Sequence, residues 1–159
     1  MMKLIAIVCA DEKNGIGKNN DLLFSLPTDM KFFRQTTKGH TVIMGERTLA
    51  SLPGGKPLKN RDNIVLSPSL KGEGFTVVSD LDALFALLNA REGDAYVMGG
   101  AMTYASLLPY TSEVLLTRVQ ADGEAEVFFP ALDDFILESE SAPVTENGYT
   151  FTFCKYVRK

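Results

Sequence analysis

The 159-residue sequence has no tryptophan, one histidine and two cysteines. A single imidazole, His40, and two distant thiols, Cys9 and Cys154, cannot assemble an ordinary structural zinc site. Neither cysteine belongs to a C-x-x-C pair. Both lie in strand-like runs, LIAIVCA and YTFTFCKYV, and read as separate buried thiols in a reducing compartment rather than as a disulfide. A Ser-His-Asp triad would have to use His40, and the sequence has no G-x-S-x-G elbow. Positive charge is also scarce. Sixteen Lys and Arg against 20 Asp and Glu give a net charge of -4 and a pI near 5.0. The basic stripe that nonspecific nucleic-acid binding requires is therefore excluded. No apolar run is long enough to span a bilayer, and the opening MMKLIAIVCADEKNG turns acidic too soon for a secretory signal. The expected setting is the cytoplasm, without membrane or nucleic-acid partners.

What the chain does contain is an alternation of elements. Its 45% hydrophobic content suits one ordinary globular domain over 1–159. There is no internal repeat, low-complexity segment or linker. Strand-like runs rich in Val, Ile, Phe and Thr are LIAIVCA, TVIMG, NIVLS, FTVVS, AYVMG, EVLLTRV, FILESES and YTFTFCKYV. Helical patterns fall between several of them: PTDMKFFRQTT, ERTLASL, DLDALFALLNA and AMTYASLL. Ser79 or Asp80 offers an N-cap for the third, and Pro109 ends the fourth. The alternation predicts an α/β fold with a mixed, mostly parallel sheet of about eight strands and about four helices on both faces. The last two strand runs lack an intervening helix. They read as an antiparallel C-terminal hairpin joined through SAPVTENGY, with Asn147-Gly148 as its turn signal.

In such sheets ligands bind where strand carboxyl ends lead into helices. YVMGGAMTY passes through Gly99-Gly100, where backbone can approach a ligand and helix N–H groups favour an anion. A tight strand-to-helix turn needs glycine for steric reasons as well, and the G-x-G-x-x-G pattern is absent. TVIMGERTLASL is a second junction, with Arg47 and Thr48 near the helix start. Two such junctions in one small sheet suit a dinucleotide lying across them. NGIGKNNDLL, residues 14–23, reads as a plain surface loop or as a mobile loop over a site. Arg61 precedes the strand NIVLS and gains meaning only beside a carboxylate ligand.

The sharpest anomaly lies in LFSLPTDMKFF, residues 23–33. A helix opening at Pro27 puts Leu26, Met30 and Phe33 on one face at the spacing of a buried stripe, and Asp29 on that same face. An acid in the first turn suits the helix dipole, but that does not explain its apolar neighbours. A half-buried carboxyl is a weaker acid than usual and needs a donor partner. It can grip paired N–H donors on a ring edge or deliver a proton.

LPTD followed by MKFF, VIMG with Thr48, NIVLS, YVMGGAMTY, EVLLT and VFFP, in this order, resemble bacterial dihydrofolate reductase over essentially the whole chain. The resemblance implies reduction of 7,8-dihydrofolate to tetrahydrofolate by hydride transfer from NADPH, in one-carbon metabolism, by a target of antifolates. No surplus apolar face stands out in the sequence, so a monomer is expected. The resemblance also implies that Asp29 binds the pterin amino group and N3 and promotes N5 protonation. Leu22 and Phe24 complete the catalytic set. Substrate contacts carried over are Ile7, Met30, Phe33, Leu52, Met98, Thr117, which supports the acid, and Arg61, which pairs with the glutamate α-carboxylate. Cofactor contacts carried over are Ala6, Ile16 and Asn20, the last with Leu22 in the mobile loop. They continue with Gly45, Glu46, Arg47 and Thr48, then Leu66 and Ser67, and finally Gly99, Gly100, Ala101, Met102, Thr103 and Tyr104. The family's Gly-Gly peptide is cis, so the same is expected at Gly99-Gly100. No metal is implied.

Three positions depart from the family pattern. Phe24 replaces its usual tryptophan and removes an indole N–H near the acid. Glu46 stands where an arginine meets the adenosine 2′-phosphate, and Met102 where another arginine often follows the glycines. Both remove positive charge, and Glu46 resembles the acid that binds a ribose 2′-hydroxyl in NAD enzymes. NADPH is the expected cofactor and NADH the alternative, with Arg47, Ser67, Lys56 and Lys71 as remaining phosphate contacts. The competing readings are a same-fold reductase of another heterocycle, a non-catalytic folate or dinucleotide binder, and a flavodoxin-like signalling domain. The last would use Asp11, Glu12 and Lys13 but leaves Asp29 unexplained.

Overall fold

A computed structural model describes residues 2–19, 21–72 and 74–159. Its main sheet is built around strand β1 (Lys3–Ala10). Further along the chain come β4 (Thr41–Gly45), β5 (Asp62–Leu66), β6 (Thr76–Val78), β7 (Asp94–Val97), β8 (Glu113–Val119), β10 (Phe135–Glu140), β11 (Val144–Glu146) and β12 (Tyr149–Arg158). The strand order is β10-β12-β8-β1-β7-β4-β5-β6, with β11 also paired to β12. From β8 to β6 all neighbours are parallel. β12 runs antiparallel to β8, β10 and β11. The predicted mixed, mostly parallel sheet is therefore the observed one.

The parallel strands bury both faces, so they read as continuous apolar runs rather than alternating ones. In β1, Leu4, Ala6, Val8 and Ala10 join a core with Leu84 and Leu88 of helix α3 (Leu81–Asn89) and Tyr104 and Leu107 of helix α4 (Ala101–Leu107). Ile5 and Ile7 point the other way. They meet Phe32 and Phe33 of helix α1 (Pro27–Thr37), Leu49 of helix α2 (Glu46–Ser51), and Leu52 just beyond it. The four helices thus lie on both faces. Asp80 caps α3, accepting the Ala83 N–H at 2.8 Å. Pro109 does not simply stop α4; it sits in a 3-10 turn, Leu108–Tyr110, that extends it.

The C-terminal hairpin differs from expectation. Asn147-Gly148 turns between β11 and β12, not between β10 and β12. β10 and β11 share one edge of β12, pairing with Cys154–Arg158 and Tyr149–Phe151 respectively. The interruption holds Pro143, which has no N–H for the ladder.

The predicted loop over residues 14–23 instead holds β2 (Gly15–Lys18) and β3 (Asp21–Leu22), which form a small sheet with β9 (Val127–Phe128). Strands this short leave no periodic trace. Asp11 organises this sheet. Its carboxylate is wholly buried and accepts the N–H groups of Lys13, Gly15 and Gly123 at 2.9, 2.7 and 2.9 Å. A Cβ on Gly15 would stand 2.8 Å from Asp11 Oδ2 and 2.4 Å from Ala125 Cβ, so only glycine allows that approach.

A third core cluster, Leu26, Val119 and Phe151, seats the start of α1 against β8 and β12. Phe151 is fully buried in it. Phe151→Ala is expected to lose about 3–5 kcal/mol of stability from lost burial and a residual cavity, read as a lower denaturant midpoint at unchanged slope.

Candidate active site

Asp29 occupies the first turn of α1, which opens with Pro27 at a position where the missing N–H costs nothing. The helix start lies over the carboxyl end of β1 and against β8, through Leu26 and Val119. In the parallel ladder Cys9 of β1 is opposite Thr117 of β8, and both side chains serve Asp29. The Thr117 hydroxyl donates to Asp29 Oδ1 at 2.6 Å, and the Cys9 thiol is a second, weaker donor. Burial raises the pKa of Asp29 above the ordinary value of 3.8. The two donors oppose this rise, and the negative charge of Glu146 on β11 adds to it. The Cys9 thiol is pushed up by burial and by the carboxylate beside it, so it stays a protonated donor. Tyr104 is likewise pushed up by burial, Cys9 and Asp29. Its hydroxyl donates to the Ile7 carbonyl at 2.7 Å.

Below this acid the structure brings Ile7, Phe33, Leu52 and Met98 into one apolar cluster. Met30 is different. The predicted buried stripe holds at Leu26 and partly at Phe33, but Met30 is 48% exposed. Spacing identifies an apolar face; it does not say whether another element covers it. Phe24 is half-buried and stacks edge-on against Tyr149 at 4.8 Å between ring centres. Leu22, in β3, is 69% exposed. Asn20 lies outside the described residues. Arg61 is held by three acceptors: Thr37 Oγ1 at 3.0 Å, the Lys59 carbonyl at 2.7 Å and the Arg34 carbonyl at 3.2 Å.

The two glycine junctions form one seam. Gly45 N–H donates to the Gly99 carbonyl at 2.8 Å, and the Gly99–Gly100 peptide is cis, as expected. Thr48 Oγ1 stands 3.4 and 3.5 Å from where a Cβ on Gly99 or Gly100 would be, and Thr103 Oγ1 2.9 Å from one on Gly45. Gly45 and Gly100 are N-caps without side-chain cap bonds, so the first N–H groups of α2 and α4 have no side-chain partner there. This backbone-lined cradle with hydroxyls on its rim fits the pyrophosphate of a dinucleotide. At one end of it Ser67, buried at the close of β5, donates to Glu46 Oε2 at 2.9 Å. Arg47 and Met102 are exposed. Ala6, Ile16 and Leu66 lie in or against the core on the α3–α4 face.

Two residues near the acid were not apparent from sequence. Cys9 had a usable signal, since it follows Ile7 by two in a strand and so shares its face. Glu146 had none, because it lies 117 positions further along the chain than Asp29. Among the described residues no group of three or more His, Cys, Asp or Glu could hold a metal ion. No helix among them is long and apolar enough to cross a membrane.

A family model described as dihydrofolate reductase matches residues 3–158. The dihydrofolate reductase of Bacillus subtilis is 36% identical, covering 96% of this chain and 93% of its own. A type 3 dihydrofolate reductase of Salmonella typhimurium is 38% identical, covering 98% and 99%. The solved Enterococcus faecalis dihydrofolate reductase, in complex with NADP(H) and RAB-propyl, superposes with a TM-score of 0.89 at 30% identity. It covers 98% of this chain and 96% of its own.

Because the folded state holds the Asp29 proton more tightly than the unfolded chain does, stability falls as pH rises from the ordinary carboxyl value of 3.8 through the raised one. Above that window the ionised, half-buried carboxylate is a standing cost. Asp29→Asn is expected to be the more stable protein at pH near 7, by about 1–4 °C in Tm. The gain should vanish below the ordinary carboxyl range, as thermal melts across pH would show.

Proposed function

The chain belongs to the dihydrofolate reductase family, and on that premise we propose that Asp29 is the group its catalysis turns on. The protein reduces 7,8-dihydrofolate to 5,6,7,8-tetrahydrofolate with NADPH, and so is an antifolate target. The observation that carries the assignment to Asp29 is a half-buried carboxyl, raised by burial and held at one oxygen by Thr117. Ionised, it accepts paired N–H donors from the pterin amino group and N3. Its raised pKa keeps a proton in reach of N5 closer to neutral pH than an ordinary carboxyl would. Bound NADPH supplies the hydride that reaches C6.

The other residues position and enclose. Ile7, Phe33, Leu52 and Met98 form the apolar wall for the pterin and benzoyl rings, with Met30 as a flexible, exposed apolar contact. Arg61, fixed by its three acceptors and near the positive charge of Arg34, suits a carboxylate such as the glutamate tail. Leu22, exposed on β3, is placed to cover the nicotinamide. Gly45, Thr48, Gly99, Gly100, Ala101, Thr103 and Tyr104 form or support the cradle, flanked by Ala6, Ile16 and Leu66. Glu46, Arg47, Ser67 and Met102 surround the adenosine ribose. The protein acts as a cytoplasmic monomer, a setting that its two free thiols favour.

One observation favours a second cofactor alongside NADPH. The Ser67 hydroxyl is engaged by Glu46, so a negative charge occupies the ribose end of the cradle. A carboxylate there accepts a 2′-hydroxyl and repels a 2′-phosphate.

In steady-state assays with dihydrofolate, NADPH oxidation is expected, and Asp29→Asn should lower kcat at neutral pH by about 10²-fold or more. An unchanged rate would remove Asp29 from the mechanism, and no turnover by the parent protein would leave only folate or dinucleotide binding. Glu46→Arg should raise the kcat/KM ratio of NADPH over NADH by about tenfold or more, through a charge-assisted phosphate contact. The dissociation constants of NADP⁺ and NAD⁺, measured by calorimetry, should move in the same direction.

A further inference from the structure

Helix α1 carries the reactive carboxyl yet has no cap of its own. Leu26 occupies the N-cap position and has no side-chain cap bond. The missing acceptor comes from the far end of the chain. Glu146 Oε1 accepts the Thr28 backbone N–H at 2.9 Å, and Glu146 Oε2 accepts the Thr28 hydroxyl at 2.5 Å. Two neighbours reinforce this grip on the same segment. Asn147 Nδ2 donates to the Ser25 carbonyl at 3.1 Å, and Tyr149 packs edge-on against Phe24. The β11–β12 hairpin therefore clasps residues 24–28, the stretch that leads directly into Asp29.

We propose that Glu146 is a positioning residue for the reduction: by capping α1 through Thr28 it fixes the Asp29 carboxyl in front of Thr117. The proposal rests on the reading of Asp29 as the proton-handling group. Its physical basis is that the first turn of a helix frays unless its N–H groups are accepted. A frayed first turn would move Asp29 away from the hydroxyl that holds it. Position matters steeply here, because a displacement of about 1 Å costs a large factor in rate.

Glu146 also acts through its charge. Its bonds to Thr28 hold its own carboxyl below the usual range, and its negative charge raises the pKa of Asp29. The titratable groups facing Asp29 are Cys9 from β1, Tyr104 from α4 and Glu146 from β11. Burial keeps Cys9 and Tyr104 neutral through the neutral range. Glu146 is thus the one of these three that brings a charge to bear on Asp29. Removing that charge makes Asp29 a stronger acid and moves the alkaline limb of the rate profile to lower pH.

The deciding experiment compares the parent, Glu146→Gln and Glu146→Ala in steady-state kinetics, thermal melts and a ¹³C NMR titration of the Asp29 carboxyl. Glu146→Gln, which keeps the cap and loses the charge, should titrate at lower pH than the parent. Glu146→Ala should lose about tenfold in kcat/KM for dihydrofolate and about 2–4 °C in Tm. Glu146→Gln, which keeps an acceptor for the Thr28 N–H, should recover most of the rate and of the Tm but not the parent's titration. A Glu146→Ala protein with the parent's kcat/KM and Tm overturns the proposal. The melts need no turnover. If the parent protein fails to reduce dihydrofolate while Glu146→Ala still loses Tm and Glu146→Gln recovers it, the catalytic reading fails and the cap on α1 stands.

Discussion

A carboxylate drawn out of water must be met by donors, and most of the site can be understood from how one such group is met. The 2.6 Å bond from Thr117 to Asp29 joins helix α1 to the sheet at the point where β1 and β8 run side by side. The parallel register sets Cys9 opposite Thr117, so one rung of the ladder supplies both donors. Burial of Leu26 against Val119 and Phe151 brings the helix down onto that rung. Without this apolar seat the hydroxyl and the carboxyl would have no reason to meet.

The molecule contains two inward-facing aspartates, and the contrast between them separates structure from chemistry. Asp11 is sealed from solvent and bound by three backbone N–H groups, which tie the loop after β1 to the loop after β8. A carboxylate so fully satisfied has little left to offer a ligand. Asp29 has a hydroxyl and a thiol for partners and remains partly open. Burial makes it a weaker acid than usual, and its two donors oppose that effect. Incomplete satisfaction is what leaves it able to exchange a proton.

Much of this was legible in the sequence. Eight of the nine strands of the main sheet and the four helices lie where alternating apolar runs and turn residues put them, because parallel strands buried on both faces leave long Val- and Ile-rich runs. Asp29 stood out because a charged residue broke a helical stripe. Gly45, Gly99 and Gly100 were marked as junctions by a strand run on one side and a helical pattern on the other. The small sheet of β2, β3 and β9 was not legible, since strands of two to four residues carry no period. Nor was the exposure of Met30, because type and spacing say nothing of what lies opposite. The dual pairing along β12 was hidden for a related reason: Asn147-Gly148 announces a turn without naming the strands it joins. Nor was the bond from Ser67 to the exposed Glu46 legible, since 21 positions along the chain separate the two.

The edge-on contact between Phe24 and Tyr149 has an optical consequence. A chain without indole is dark under the excitation used for tryptophan. Tyrosine emission and the signal of a bound reduced nicotinamide are therefore seen against no competing background. A single tryptophan placed at residue 24 would be the sole indole chromophore in the protein, seated between the C-terminal hairpin and the helix that bears the acid. Its emission wavelength and lifetime would follow the clasp as it tightens or loosens, turning a packing contact into a spectroscopic gauge of the site.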